Sequence, residues 1–132
     1  MNPQMSHMLI APAPNCAHNL GVYAVTDFFR RLGWSPHMLS EGARPLILSR
    51  IRQRHYDFLA LSVGHDAGLD GLVDFIHECR TSSANTALRI LVGGNIFTLP
   101  QSAYAWMGAD HIAADLKDAY AYCRVSGSAK PH

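Results

Sequence analysis

A histidine lies in a short polar loop near the start of the chain, between an apolar run and a helical pattern. The loop reads Asn15-Cys16-Ala17-His18-Asn19-Leu20-Gly21. Imidazole is a good axial ligand for cobalt or iron, and a loop can present it outward from a sheet. We interpret His18 as a candidate metal ligand, against the alternative of an exposed loop histidine. Cys16 is a weak hydrogen-bond partner of the imidazole, a second soft ligand, or simply a small residue in a tight loop.

Small residues follow two further apolar runs of the chain. Ser62 ends the run Phe58-Leu59-Ala60-Leu61-Ser62, and Gly93-Gly94 ends another. A hydroxyl at a strand end can bond a ligand nitrogen or local backbone. A glycine pair admits a flat group close to the backbone, or makes a turn. The candidate cofactor-binding residues are His18, Cys16, Asn19, Gly21, Ser62, Val63, Gly93, Gly94, Asn95 and Phe97.

Short apolar runs alternate with helical periodicity along the chain, which indicates β-α units and a mostly parallel sheet. Strands are predicted at 8–13, 34–39, 57–63, 87–92 and 110–112. Helices are predicted at 19–32, 45–54, 69–79 and 98–107, and from a cap at Asp115 to about Arg124. The first and third helices are expected to turn inward the residues Leu20, Ala24, Phe28 and Leu32, and Leu69, Leu72, Val73 and Ile76.

Five units of this length favour an α/β fold, a flavodoxin-like doubly wound five-stranded parallel sheet of order 2-1-3-4-5. Ligands of such sheets bind beyond the carboxyl ends of the strands, at the switch point between strands one and three. The His18 loop, Ser62 and Gly93-Gly94 all follow strands and therefore fall on that edge. Together they would form a long cavity that suits a flat macrocycle with a nucleotide-like tail.

Composition narrows the classes of function. The chain has 132 residues, 48% apolar and 16% charged, which fits one domain with a core at about 8–124 and a flexible tail at 125–132. The formal charge of +1 argues against direct binding of nucleic acid or an anionic membrane. We expect no membrane span and no signal peptide. The three cysteines are expected to be reduced thiols in a cytoplasmic protein.

Other ligand-binding and catalytic signatures do not fit. A phosphoacceptor receiver domain needs an acidic pair after strand one and an aspartate at the end of strand three, where this chain has Pro14-Asn15 and Ser62. A flavodoxin needs a Ser/Thr/Gly-rich first loop, and neither a P-loop nor a GxGxxG pattern occurs. No nucleophile–base–orienter set stands out, so the chain is expected not to be an enzyme.

The spaced residues resemble the cobalamin-binding domain of methionine synthase, the methylmalonyl-CoA mutase family and their regulatory relatives. That family carries Asp/Glu-x-His-x-x-Gly, then Ser-x-Leu, then Gly-Gly. This chain has Cys16-Ala17-His18-Asn19-Leu20-Gly21, Ser62-Val63-Gly64 and Gly93-Gly94, and Gly108-Ala109-Asp110 resembles the family's Gly-Ala-Asp. The motif is degenerate, because Cys16 replaces the acidic residue that normally orients the histidine and raises its basicity.

The resemblance implies a role for each matching residue. His18 would be the lower axial ligand of cobalt, and the displaced dimethylbenzimidazole of cobalamin would be buried in the cavity. Ser62 would bond that base, and Gly93-Gly94 would let the tail pass against the sheet.

Local sequence is most similar to a proteobacterial sensory branch, which includes photosynthesis antirepressors and a haem-binding sensor domain. We therefore interpret the chain as a free-standing sensory domain that binds cobalamin through His18 and signals to a protein partner such as a transcription regulator. Three alternatives stay open: a haem-binding sensor of the same fold, a corrinoid carrier subunit of a methyltransferase, and a protein-interaction relic that binds no tetrapyrrole. The oligomeric state is left open.

Overall fold

Five parallel strands form the centre of the computed structural model, which describes residues 6–14, 21–64, 69 and 71–128, with side chains up to Ser126. The strands are β1 (Met8–Pro12), β2 (His37–Met38), β3 (Phe58–Ser62), β4 (Arg89–Gly93) and β5 (His111–Ala113). They lie in the order β2-β1-β3-β4-β5, and every pair is parallel. The predicted doubly wound sheet of order 2-1-3-4-5 is confirmed.

Helices connect the strands on both faces. They are α1 (Gly21–Arg31), α2 (Arg44–Gln53), α3 (Leu72–Ser82) and α4 (Leu116–Ser128), and a 3-10 helix (Gln101–Met107) joins β4 to β5. The apolar residues of α2, α3 and the 3-10 helix pack on one face of the sheet, and those of α1 and α4 pack on the other. None of the helices in the described part of the chain is long and apolar enough to cross a membrane.

The buried stripe of α1 differs from the predicted one. Val22, Thr26 and Phe29 are buried, whereas Ala24 is exposed and the side chain of Leu32 is 43% exposed. Threonine was not counted as a core residue, but the hydroxyl of Thr26 donates to the carbonyl of Val22 at 2.8 Å and so loses no hydrogen bond on burial. Phe28 is half-buried, and Leu20 lies outside the described residues.

Helix α3 keeps part of its predicted stripe. Leu72 and Ile76 are buried as predicted, and Leu69 packs partly buried against the same core. Val73 is 42% exposed, and Phe75 and Cys79 are buried in its place. Positions 72, 75, 76 and 79 form the i, i+3, i+4, i+7 face of a helix, and position 73 lies beside it.

The connection between β4 and β5 is not the regular α-helix predicted at 98–107. It is a 3-10 helix with non-helical dihedrals at Tyr104, which interrupt it. The ring of Tyr104 packs edge-on against Phe97 with 5.0 Å between centroids, and its hydroxyl accepts a bond from the backbone N–H of Leu99 at 3.1 Å. These contacts hold the segment in 3-10 turns, which are tighter than those of an α-helix. A regular α-helix therefore does not form here.

The last helix begins as predicted and ends later. The carboxylate of Asp115 accepts a hydrogen bond from the backbone N–H of Asp118 at 2.8 Å, which is the geometry of an N-cap. The helix continues to Ser128, four residues beyond the predicted end at Arg124.

The Gly108-Ala109-Asp110 motif lies at the amino edge of the sheet and has a structural role there. The Asp110 carboxylate accepts bonds from the backbone N–H of Ile90 at 2.7 Å and from Arg80 at 3.0 Å. The same guanidinium donates to the carbonyl of Gly108 at 2.7 Å, where φ is 88°. The motif therefore joins α3, β4 and β5 at the end of the strands opposite the predicted ligand edge.

Candidate functional site

A cavity of about 360 Å³ opens at the carboxyl edge of the sheet, between α1 and α4. Its lining comes from both helices, from the four strands β1, β3, β4 and β5, and from the loops that follow β4 and β5. We call it the α1/α4 cavity. The lining residues are Met8, Ile10, Gly21, Ala24, Val25, Phe29, Ala60, Leu61, Ser62, Leu91, Val92, Gly93, Gly94, Asn95, Ala113, Ala114, Asp115, Leu116 and Ala119.

The strands create this cavity through a decrease in side-chain size along one face. Residues paired across parallel strands point to the same face, so they form rows. The rows, from the amino to the carboxyl edge, are Met8, Phe58 and Arg89; then Ile10, Ala60, Leu91 and His111; then Pro12, Ser62, Gly93 and Ala113. The last row consists of small residues, and space therefore remains above it. Ala60, Ser62 and Gly93 are half-buried although they lie on central strands.

Two helices form the walls of the cavity through residues of their first two turns, and three of these residues are glycine or alanine. Helix α1 contributes Gly21, Ala24 and Val25, and helix α4 contributes Leu116 and Ala119. The exposure of Ala24 places it at the open side of the cavity. Because Gly21, Ala24 and Ala119 have little or no side chain, space for a flat group remains between the two helices.

Aromatic rings close the lower end of the cavity. Phe29 lines it and packs on Trp34 at 5.3 Å and on Tyr120 at 6.0 Å between ring centroids. Tyr120 of α4 also contacts Phe28 of α1 at 6.3 Å. These edge-on and tilted contacts join the two helices where the cavity ends. The helices therefore converge at the amino edge and leave the cavity at the carboxyl edge.

Two adjacent glycines at the end of β4 have different roles. Gly94 has a φ of +149°, and a Cβ there would lie 1.9 Å from the carbonyl oxygen of Val63, so this position excludes any side chain. A Cβ at Gly93 would meet the Ala113 Cβ at 3.5 Å, which is ordinary contact. Gly94 lets two loops pass each other, whereas Gly93 leaves space in the α1/α4 cavity itself.

A carboxylate holds the loop between β5 and α4. Oδ2 of Asp118 accepts bonds from the backbone N–H of Ala114 at 2.8 Å and from Nε2 of His111 at 3.0 Å. The His111 ring stacks on Tyr122 at 4.4 Å, with 7° between the ring planes. Ala114 lines the cavity, so this network fixes one of its walls from behind.

Five of the predicted site residues meet at this cavity. They are Gly21, Ser62, Gly93, Gly94 and Asn95. Val63 and Phe97 do not line it, because they are buried in the core on the opposite face, which α2 and α3 cover. Side chains alternate between faces along a strand, so Val63 points away from the face of Ser62. Cys16, His18 and Asn19 lie outside the described residues.

Sequence reasoning missed the apolar part of the lining. Ile10, Ala60, Leu91 and Ala119 line the cavity but carry no polar group, so their residue types do not distinguish them from core residues. A signal was present in β3, where the cavity-facing positions change from the large Phe58 to the small Ala60 and Ser62 while Leu59 and Leu61 stay large. Such a one-sided decrease toward the carboxyl end of a central strand indicates space on that face.

The cavity suits a flat and largely apolar ligand group. Its polar side chains belong to Ser62, Asn95 and Asp115, all near the carboxyl edge. Its volume lies near the lower end of the roughly 300–1,000 Å³ of small-molecule sites. Within the described ranges, no group of three or more His, Cys, Asp or Glu residues could hold a metal ion.

The model of the B12 binding domain family matches residues 6–122 of this chain. The match begins just before β1 and ends within α4, so it includes the whole sheet and both walls of the cavity. No curated protein sequence matches the chain.

Solved structures share the fold at low sequence identity. A cobalamin-binding protein from Desulfitobacterium hafniense DCB-2 superposes with a TM-score of 0.78 at 15% identity, over 92% of this chain and 58% of that one. The monomethylamine corrinoid protein of Methanosarcina barkeri gives 0.71 at 14% identity, over 93% and 58%. The chain thus spans 58% of the length of each of these proteins. The chemotaxis protein CheY4 of Vibrio cholerae gives 0.65 at 13% identity, over 92% and 98%.

Proposed function

Because the chain belongs to the B12-binding domain family, we propose that it binds a corrinoid and holds the cofactor's benzimidazole tail in the α1/α4 cavity. The observation that carries this proposal is the cavity itself. It lies at the carboxyl edge of the sheet, includes the switch point between β1 and β3, and has small residues on every wall. Ligands of doubly wound sheets bind at this place.

The residues present fit the tail of cobalamin. A benzimidazole is flat and apolar. Because Ser62, Gly93 and Ala113 have short side chains or none, a ring can lie against this row of the sheet. Ser62 lines the cavity near the carboxyl edge, on the part of the surface where a ring nitrogen of the tail would lie. A bound corrinoid supplies a cobalt centre that exchanges axial ligands.

The metal ligand in this proposal is His18. In the sequence it falls between β1 and α1, three positions before Gly21, which lines the cavity. Cys16 stands where the family has a carboxylate, so the imidazole lacks the partner that raises its basicity. We expect a weaker bond from His18 to cobalt than a carboxylate-supported histidine would make.

The cavity favours a corrinoid over haem as the ligand. Both tetrapyrroles have a flat ring and can take an axial histidine, but a haem has no nucleotide-like tail. A dedicated space below the edge of the sheet contributes to binding of a corrinoid, and it would stay unused with haem. We therefore expect cobalamin to bind more tightly than haem.

Absorption titrations with hydroxocobalamin and with haemin test this proposal. Cobalamin should bind and develop the spectrum of the form in which histidine replaces its own base, and haemin should bind more weakly. His18→Ala should abolish that spectrum, while His55→Ala, at an exposed residue after α2, should keep it. Absence of cobalamin binding to the unmodified chain would refute the proposal, and an unchanged spectrum in His18→Ala would exclude His18 as the ligand.

The biological role that we propose is sensory. Its support is the sequence likeness to the antirepressor branch, in which a corrinoid or haem reports light or cofactor to a protein partner such as a transcription regulator. The chain would then have no methyl-transfer activity of its own. Purified protein with methylcobalamin is expected to give no repeated transfer to thiol or phenolic acceptors. Multiple turnovers without added protein would favour the carrier-subunit alternative.

A further inference from the structure

The α1/α4 cavity is polar at its mouth and apolar at its lower end. Ser62, Asn95 and Asp115 lie at the carboxyl ends of strands or at the start of α4. The lower lining belongs to the first and middle rows of the sheet and to facing helix residues. Its members are Met8, Ile10, Phe29, Ala60, Leu91 and Ala119. All six carry apolar side chains.

The backbone around the lower end is already paired. Ala60 lies in register with Ile10 on one side and with Leu91 on the other, inside continuous parallel ladders. On the helix side, the hydroxyl of Thr26 donates to the carbonyl of Val22. A polar atom of a ligand that reaches this depth therefore exchanges its hydrogen bonds to water for contacts with hydrocarbon.

From this distribution we propose that the chain selects corrinoids by their tail base, accepting benzimidazole and phenolic tails and rejecting purine tails. The inference rests on the proposed function, because it concerns which corrinoid enters the same cavity. The methyl groups of dimethylbenzimidazole and the ring of a phenolic tail gain apolar contacts at the lower end. An adenine tail places an exocyclic amine and extra ring nitrogens there, and each loses a hydrogen bond to water.

The size of the discrimination follows from these lost bonds. A buried polar group without a partner weakens binding by about 10- to 100-fold. Discrimination against a ligand with an unsatisfied polar group is therefore stronger than discrimination by the volume of one methyl group. We expect adenine to be rejected through its polarity and not through its size.

Equilibrium titration with four corrinoids tests the inference. The probes are cobalamin, a cobamide with a phenolic tail, a cobamide with an adenine tail, and cobinamide, which has no tail base. Cobalamin and the phenolic cobamide should bind within a few-fold of each other, the adenine cobamide about 10- to 100-fold more weakly, and cobinamide more weakly than cobalamin.

A pair of variants distinguishes polarity from shape. Ala60→Ser adds one hydroxyl to the lower lining with little added volume, and it should reduce the ratio between cobalamin and adenine cobamide affinities at least threefold. Ala103→Ser, at an exposed position of the 3-10 helix outside the cavity, should leave that ratio unchanged. Thermal unfolding of both variants verifies that they are folded.

The outcomes separate the inference from the function on which it rests. Equal affinities for cobalamin and adenine cobamide would overturn the selectivity while leaving corrinoid binding intact. Cobinamide binding as tightly as cobalamin would show that no tail enters the cavity and would overturn both the selectivity and the tail-binding proposal. Binding of none of the four corrinoids would refute the proposed function itself.

Discussion

The two faces of the sheet are built from the same strands and differ in how they are filled. On the face covered by α2 and α3, large side chains are present along the full length of the central strands, among them Leu59, Leu61, Ile90 and Val92. On the face covered by α1 and α4, large side chains occupy the amino half, and small ones occupy the carboxyl half. Aromatic rings fill the first half of that face, and the α1/α4 cavity occupies the second.

This difference shows how a small domain can keep a well-filled core beside an open cavity. Successive residues of one strand point to opposite faces, so Leu59 and Leu61 can fill one side while Ala60 and Ser62 leave room on the other. We therefore expect stability to be concentrated on the filled face, and ligand selection on the open one. The predictions below test that division.

The largest effect should come from truncating a side chain of the filled face. Leu59→Ala removes a fully buried side chain and should lower the free energy of unfolding by about 2–5 kcal/mol. Leu116→Ala, at a half-buried wall residue of the cavity, should cost about 1 kcal/mol or less. Urea unfolding followed by circular dichroism measures both. Equal losses would contradict the division between the faces.

The two glycines after β4 form a matched pair. Gly94→Ala places a Cβ against the Val63 carbonyl and should cost at least about 2 kcal/mol in unfolding free energy. Gly93→Ala meets ordinary contact distances and should change stability by less than about 1 kcal/mol. Thermal and chemical unfolding measure the difference. If Gly94→Ala proved as stable as Gly93→Ala, the close approach of the two loops would be refuted.

A larger residue at Gly93 should fill the cavity while the sheet stays folded. Gly93→Val adds branched volume beside Ala113 and should weaken cobalamin binding at least about tenfold, which corresponds to about 1.4 kcal/mol. The affinity for haemin, which has no tail, should change much less. Absorption titration measures both ligands. Equal losses for the two would indicate general disruption, which thermal unfolding of the variant would reveal.

Two buried thiols report separately on the two faces. Cys79 lies in the core of the α2/α3 face and Cys123 in that of the α1/α4 face, and burial raises the pKa of each thiol to about 12. Labelling at pH 8 therefore requires local opening. In a Cys16→Ser background, we expect Cys123 to react several-fold faster than Cys79, and cobalamin to slow Cys123 alone.

Mass spectrometry of peptides assigns the label to each thiol. Equal rates at Cys79 and Cys123, with equal protection by cobalamin, would show that the protein opens as one unit. The two faces would then not differ in local stability.

The smallest effect concerns acid sensitivity. Burial, together with the charges of Arg54, Arg50 and His7, lowers the pKa of His37 from 6.5, and its Nδ1 lies 2.7 Å from the hydroxyl of Tyr56. The unfolded chain therefore binds more protons than the folded one just below pH 6.5, so stability falls as the pH decreases through that range.

Replacement of this histidine should reduce the pH dependence. His37→Gln should flatten the decline in unfolding free energy below pH 6.5, and His55→Gln, at an exposed residue, should leave it as it is. Urea unfolding at several pH values measures the slope. If the unfolding free energy of His37→Gln depended on pH as strongly as that of the unmodified chain, His37 would not be the cause of the pH dependence.

The order of the strands and the edge at which the cavity opens could be predicted from sequence, because both follow from alternation and from small residues at strand ends. Ser62 and Gly93 were found in this way. The orientation of α1 could not, since the burial of Thr26 depends on a hydrogen bond to its own helix. The 3-10 connection was missed because the contact between Tyr104 and Phe97 is invisible in a helical pattern.

The apolar half of the site was not predictable from chemistry-bearing residues alone. Ala60 and Leu91 look like core residues in sequence, and their exposure to a cavity depends on how far α1 and α4 stand apart above the sheet. Phe97 was assigned to the site because it follows the glycine pair, but the tight turn closed by the bond from its N–H to the Gly94 carbonyl carries it into the opposite core.

The edges of the sheet limit how this protein can associate with other chains. Strand β2 has two residues and β5 has three, so neither offers a long row of free backbone groups. On β5, the N–H of Ile112 donates to the side chain of Gln101 at 2.9 Å, which occupies a group that a further strand would need. Because the edge strands are short and one of them has a backbone group bonded to a side chain, they are poor templates for pairing with a strand of another chain. A second protein is therefore expected to dock through helix surfaces or the rim of the cavity, where ligand occupancy can alter the contact.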